Sequence, residues 1–155
     1  MGCAASCGSQ DNEQFLQHYT MSTELGKGHF ATVRLCKHKK TGEQFAVKIM
    51  NKKRMSNPTY MRDEVDILRK VGDHRHCVKL YNVFEDAQSF YLVMELCSGG
   101  DLFSRIVEYG NYSEKEASES MRQLGAAIYH IHSKGITHRD LKVSAIDAAR
   151  KENNH

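Results

Sequence analysis

Three short groups of residues in this chain could act together on a phosphorylated ligand. The run Leu25-Gly26-Lys27-Gly28-His29-Phe30-Ala31-Thr32-Val33 places two glycines two residues apart. Glycine allows a close backbone approach that a Cβ would block, so the N–H groups of such a loop can face phosphate oxygens. Lys48 sits in an alternating apolar segment, Gln44 to Met50, and brings a cation to an otherwise apolar face. His138-Arg139-Asp140 offers a carboxylate that could accept the proton of a hydroxyl nucleophile and orient it. Each group also has a plainer reading: a hairpin turn, a lysine that snorkels to water, and a solvated charged loop. Ala31 stands where the fuller glycine pattern has its third glycine.

The elements that must position these groups follow from periodicity and punctuation. Residues 1 to 17 show no repeat and read as a flexible leader. Strands are expected at Tyr19 to Leu25, Phe30 to Lys37 and Gln44 to Met50, with a turn at Lys39-Lys40-Thr41-Gly42. Asn57 and Pro58 start a helix and Gly72 ends it. Two more strands, Val78 to Phe84 and Phe90 to Leu96, precede a short helix from Asp101 to Tyr109. A long helix opens at Ser113, where Glu116 completes a capping box, and closes at Gly135. Its residues Met121, Leu124, Ile128 and Ile131 recur at helical spacing.

Alternation in the third strand sends Phe45, Val47 and Ile49 to one face and Ala46, Lys48 and Met50 to the other. On the following helix, Glu64 falls within the apolar stripe of Met61, Val65 and Leu68. A charge turned toward a core is costly unless paired, so Lys48 and Glu64 are expected to form an ion pair.

In this order the motifs resemble the eukaryotic protein kinase family, Ser/Thr type, and within it the calcium/calmodulin-regulated and calcium-dependent group. The resemblance rests on the glycine segment, on Phe45-Ala46-Val47-Lys48 fifteen residues after Val33, on Glu64, on Tyr91 to Phe103 as a hinge, and on His138 to Lys142. It runs from residue 20 to residue 142 and implies an α+β fold: a kinase N-lobe with a five-stranded antiparallel sheet and one helix, then a hinge and the first helices of a helical C-lobe. The domains expected are a leader at 1–17, the N-lobe and hinge at 18–97, a partial C-lobe at 98–142 and a polar tail at 143–155.

By the same resemblance, ATP is the nucleotide and Leu25, Gly26, Lys27 and Gly28 cover its phosphates. Val33 and Ala46 sandwich the adenine, Met94 lines the back of its pocket, and backbone groups of Glu95 and Cys97 bond it. Lys48, held by Glu64, takes the phosphates and Asp101 the ribose. Asp140 is the catalytic base and Lys142 steadies the transferring phosphate to a Ser or Thr hydroxyl of a protein substrate. Departures from the pattern follow Lys142. Val143, Ser144 and Ala145 replace Pro-Glu-Asn, and no Asp-Phe-Gly occurs, so the family's Mg2+ ligands are missing and the chain alone is expected to be incompetent in transfer. The alternative reading is a membrane-tethered fragment that binds nucleotide or a partner without catalysis. No twelve-residue calcium loop is present either.

At the amino terminus, Met1-Gly2-Cys3-Ala4-Ala5-Ser6 fits N-myristoylation of Gly2, and Cys3 and Cys7 are placed for palmitoylation. One acyl chain holds weakly and a second makes attachment stable, so the expected location is the cytosolic face of a membrane. The chain has 155 residues, 40% of them hydrophobic and 26% charged, enough for one ordinary folded domain. A net charge of +3 is too small to argue for nucleic acid as partner. The basic runs Lys37-His38-Lys39-Lys40 and Lys52-Lys53-Arg54 read as solvated turns. His74-Arg75-His76-Cys77 lacks a second ligand pair at zinc spacing, and the cysteines read as thiols in a reducing compartment.

Overall fold

A computed structural model describes residues 13–55, 59–99, 104, 107 and 113–141. These fall into two compact units: the residues up to Met61 with Tyr81–Met94, and Arg62–Leu80 with those from Glu95 onward.

The first unit is built on a five-stranded sheet. Its strands are β1 (Tyr19–Lys27), β2 (Ala31–His38), β3 (Gln44–Asn51), β4 (Leu80–Glu85) and β5 (Ser89–Met94). Their order in the sheet is β1-β2-β3-β5-β4, with β1–β2, β2–β3 and β3–β5 antiparallel, in agreement with the five strands expected. The turn between β2 and β3 needs Gly42 at φ 76°, a region costly for a residue with a Cβ. Asp86 builds the β4–β5 turn: Oδ1 accepts from the N–H groups of Gln88 and Ser89 at 2.7 and 2.6 Å, and Oδ2 accepts from the Tyr91 hydroxyl at 2.8 Å. Lys52 adds a tie from the end of β3, donating to Glu85 at 2.7 Å and lying 4.6 Å from the centre of the Phe90 ring. The last expected strand residues are displaced: β5 stops at Met94 because the Glu95 N–H goes to the Lys79 carbonyl.

One element was not expected. Residues Glu13–His18 form a helix, α1, so the irregular leader does not extend to residue 17. Phe15 of α1 is fully buried, stacked at 5.3 Å on both Tyr19 and Tyr91 and edge-on to Phe84. The reason it escapes a sequence reading is length. One and a half turns cannot display a helical period, and such a helix is marginal without tertiary contacts. Here Phe15 supplies them, joining a cluster with Cys36, Val47 and Val93 beside which Phe45 and Ile49 pack. Alternation in β3 is thereby borne out. Lys39 also donates its ammonium to the Leu16 carbonyl and its N–H to the His18 carbonyl, which ties α1 to the β2–β3 turn. Burial pushes the Cys36 thiol up to about 11, so it stays protonated inside this cluster.

The second unit holds α2 (Thr59–Val71) from Arg62 onward, and α3 (Glu114–Ser133). The expected start of α2 at Asn57-Pro58 lies outside the described residues, and its end at Gly72 is observed, with the Gly72 N–H bonded to the Leu68 carbonyl. Met61 and Val65 are buried on the stripe that also carries Glu64. For α3 the capping box is complete: Ser113 Oγ accepts from the Glu116 N–H and the Glu116 carboxylate accepts from the Ser113 N–H. Gly135, at φ 73°, turns the chain out of α3. Of the face expected to be apolar, Met121 is 64% exposed, while Leu124, Ile128 and Ile131 are half-buried and Ala127 is buried. Of the short helix from Asp101 to Tyr109, only Ser104 and Val107 are described, both helical.

Phe15 is the fully buried anchor of α1. Phe15→Ala should therefore cost about 3–5 kcal/mol in urea unfolding, whereas Leu16→Ala, on the exposed side, should cost about 1 kcal/mol or less.

Candidate functional site

In an antiparallel sheet, residues in register share a face. Gly26 is in register with Val33, Val33 with Lys48, and Lys48 with Leu92, which makes one row across four strands. The next row, about 7 Å away along the strands, is Leu35, Ala46 and Met94. Five residues assigned to a nucleotide from sequence, Gly26, Val33, Ala46, Lys48 and Met94, thus occupy two adjacent rows of a single sheet face. This face is opposite to the one that takes Phe15. Leu92, fully buried at the end of the first row, was not singled out from sequence, although its place in the run of buried residues from Tyr91 to Val93 marks it as core.

The glycine segment closes this face at one end. The Gly28 N–H bonds the Ala31 carbonyl at 2.8 Å, joining β1 to β2 through a tight turn. Gly26 has no positive φ, and a Cβ built there would meet nothing within 4 Å. The fold itself therefore does not require glycine at 26, unlike at 42. Lys27 registers with Thr32 and so belongs to the opposite face, and Leu25 lies in an irregular stretch of β1, half exposed.

Lys48 is half-buried in the sheet unit and Glu64 is half-buried on α2 in the second unit, so each charge is partly withdrawn from water. Glu95 and Cys97 follow β5 and are half-buried too. The Glu95 N–H is committed to the Lys79 carbonyl at 2.9 Å. Asp140 is exposed in the segment after α3, next to Arg139. Arg139 stands at φ 66°, a left-handed conformation that costs a residue with a side chain roughly 1–2 kcal/mol. Such strain in the middle of His138-Arg139-Asp140 sets the direction in which the aspartate leaves the chain. Gly2, Cys3, Cys7, Asp101 and Lys142 lie outside the described residues.

A description of the protein kinase domain matches residues 19–152. The chain belongs to the protein kinase family. Its curated relatives agree on the branch. Over 119 residues it is 47% identical to calcium-dependent protein kinase 5 of Plasmodium falciparum, covering 77% of this chain and 21% of that protein. It is 42% identical over 127 residues to calcium-dependent protein kinase 2 of Oryza sativa subsp. japonica, covering 80% and 25%. A Dictyostelium discoideum protein named "Probable myosin light chain kinase" is 41% identical over 141 residues, covering 91% and 45%. These relatives place this kinase domain among the Ser/Thr kinases of the calcium-dependent group, as the motifs implied. The chain spans from about a fifth to under half of their length.

A side chain at position 26 would enter the two-row face without disturbing the backbone. Gly26→Ala should therefore change unfolding free energy by no more than about 0.5 kcal/mol, whereas Gly42→Ala should cost about 1–2 kcal/mol. Both are measurable by chemical denaturation.

Proposed function

We propose that this chain provides the nucleotide-binding part of a Ser/Thr protein kinase that transfers the γ-phosphate of ATP to protein hydroxyls. The observation that carries the reading is the placement of Gly26, Val33, Ala46, Lys48 and Met94 on one sheet face. Two aliphatic positions and a thioether offer an apolar bed for a purine, and the ammonium one row away meets anionic oxygens. The bond assigned to Glu95 falls to its carbonyl, since its N–H is already given to Lys79. The resemblance assigns Cys97 backbone groups to the adenine, Asp101 to the ribose and Glu64 to Lys48.

In the same reading Asp140 accepts the proton of the attacking Ser or Thr hydroxyl and Lys142 steadies the phosphoryl group. Phosphoryl transfer depends on charge neutralisation as well as positioning. Mg2+ would supply that, but Ala145 has no ligating side-chain atom where the family pattern has asparagine, and no Asp-Phe-Gly occurs in the 155 residues. These residues do not fit the metal, so the chain by itself binds nucleotide without turning it over. The acylation pattern at Gly2, Cys3 and Cys7 supports attachment to the cytosolic face of a membrane, and mass spectrometry of the chain expressed with a myristoyltransferase tests it.

The decisive experiment is nucleotide binding by the purified chain. An ATP analogue should raise its melting temperature in a concentration-dependent way, and Lys48→Met should weaken that binding about tenfold or more. Equal binding by Lys48→Met would refute the assignment of Lys48. Radiolabelled phosphate transfer by the chain alone would refute the proposed lack of turnover.

A further inference from the structure

Phe15 packs on one face of the sheet and the residues read as nucleotide contacts lie on the other, with β3 and β5 between them. Val47 of β3 and Val93 of β5 are in register, fully buried, and share the aromatic cluster with Phe15. Ile49 and Tyr91 form the next register pair on that face, and Phe15 stacks on the Tyr91 ring at 5.3 Å. Alternating with these pairs are Lys48 with Leu92 and Ala46 with Met94, turned to the opposite face. Val47 is thus bonded on either side to Ala46 and Lys48, and Val93 to Leu92 and Met94.

The edges of the sheet close around Phe15. Strands β1 and β4 are its two edges, yet on this face the Asn82 side-chain amide of β4 donates to the Tyr19 hydroxyl of β1 at 2.6 Å, and the rings of Tyr19 and Phe84 lie 6.0 Å apart. Phe15 meets both, stacked on Tyr19 at 5.3 Å and edge-on to Phe84 at 5.7 Å. The sheet is therefore curled toward α1, with the Phe15 ring inside the curl. Its partners are fixed in turn: the Tyr91 hydroxyl donates to Asp86 at 2.8 Å, and Lys39 of the β2–β3 turn donates to the carbonyls of Leu16 and His18. All of α1 precedes residues 19–152, the span matched by the protein kinase domain.

We propose that Phe15 is a positioning residue for the nucleotide: from the opposite face of the sheet it sets the curl of β3 and β5, and with it the spacing of Ala46, Lys48 and Met94.

This rests on the nucleotide reading of that face. Rows on the two faces of one sheet cannot move separately, because alternate residues hang from the same backbone. Loss of the Phe15 ring underfills the curl, and a close-packed interior relaxes into such a gap in part, drawing in what lines it. Val47, Tyr91 and Val93 line it, so Ala46, Lys48 and Met94 follow. A binding constellation tolerates displacement of only about 0.5 Å. Phe15 itself does not reach the nucleotide face and acts through β3 and β5.

Titration calorimetry of the full chain with a non-hydrolysable ATP analogue, below the unfolding transition of each variant, tests this. Phe15→Ala should weaken binding about tenfold, and Phe15→Leu, which leaves an apolar side chain in the cluster, about threefold. Phe15→Leu carries the test alone should Phe15→Ala fail to fold. Ala127→Gly, which destabilises α3 in the other unit, should change affinity by less than about twofold. In a Lys48→Met chain, Phe15→Ala should weaken binding only about threefold further, since part of what Phe15 positions is gone. No binding by the wild type overturns the nucleotide reading itself. Wild-type affinity in a folded Phe15 variant, or a loss in Ala127→Gly as large as in that variant, overturns the positioning role and leaves the nucleotide reading standing. An undiminished loss in the Lys48→Met chain overturns the route through Lys48.

Discussion

Strand β3 is committed on both faces, and this constraint organises the first unit. On one side Val47, with Phe45 and Ile49 beside it, meets an aromatic cluster in which Phe15 is stacked between Tyr19 and Tyr91. On the other side Ala46 and Lys48 share rows with Val33, Leu92 and Met94. Because alternate residues serve opposite faces, a slip of one residue in register would put Lys48 into the aromatic cluster and Val47 where the cation belongs. Burying an unpaired ammonium among stacked rings is costly enough to forbid that slip. Thus the same packing that stabilises the sheet fixes which way Lys48 points.

The two faces are unequal in how they are built. The aromatic face is filled by this chain's own side chains and needs nothing else to be dense. The opposite face carries a glycine row end at Gly26, with room for a Cβ, beside small or flexible residues at Ala46 and Met94. In the proposed reading this face takes the nucleotide, with the apolar positions of one row for its base and the ammonium of Lys48 for its anionic end.

In the second unit, polar contacts replace aromatic packing. The turn after α2 meets Glu119, Arg122 and His130 of α3, and Lys134 just beyond its end, through charge and stacked imidazoles. Glu119 is held down to about 2 by hydrogen bonds from Arg122 and Gln123, so this contact keeps its anion at any physiological pH. Contacts of this kind respond to protons and salt where the aromatic core does not. The segment with the strained Arg139 leaves from the end of α3.

The sequence alone determined the strands, the capping box of α3 and its glycine stop, because period-two alternation, Ser113 with Glu116, and Gly135 are local signals with local causes. It also determined the kinase assignment, since the motifs sit in a fixed order. Tertiary structure decided the rest. α1 exists because Phe15 finds Tyr19, Tyr91 and Phe84, residues up to 76 positions away that no local pattern connects. The rows that join Gly26 to Leu92 depend on strand order, with β5 inserted between β3 and β4. His74 and His130 read separately as a polar turn and a helix residue, and only folding puts their rings face to face.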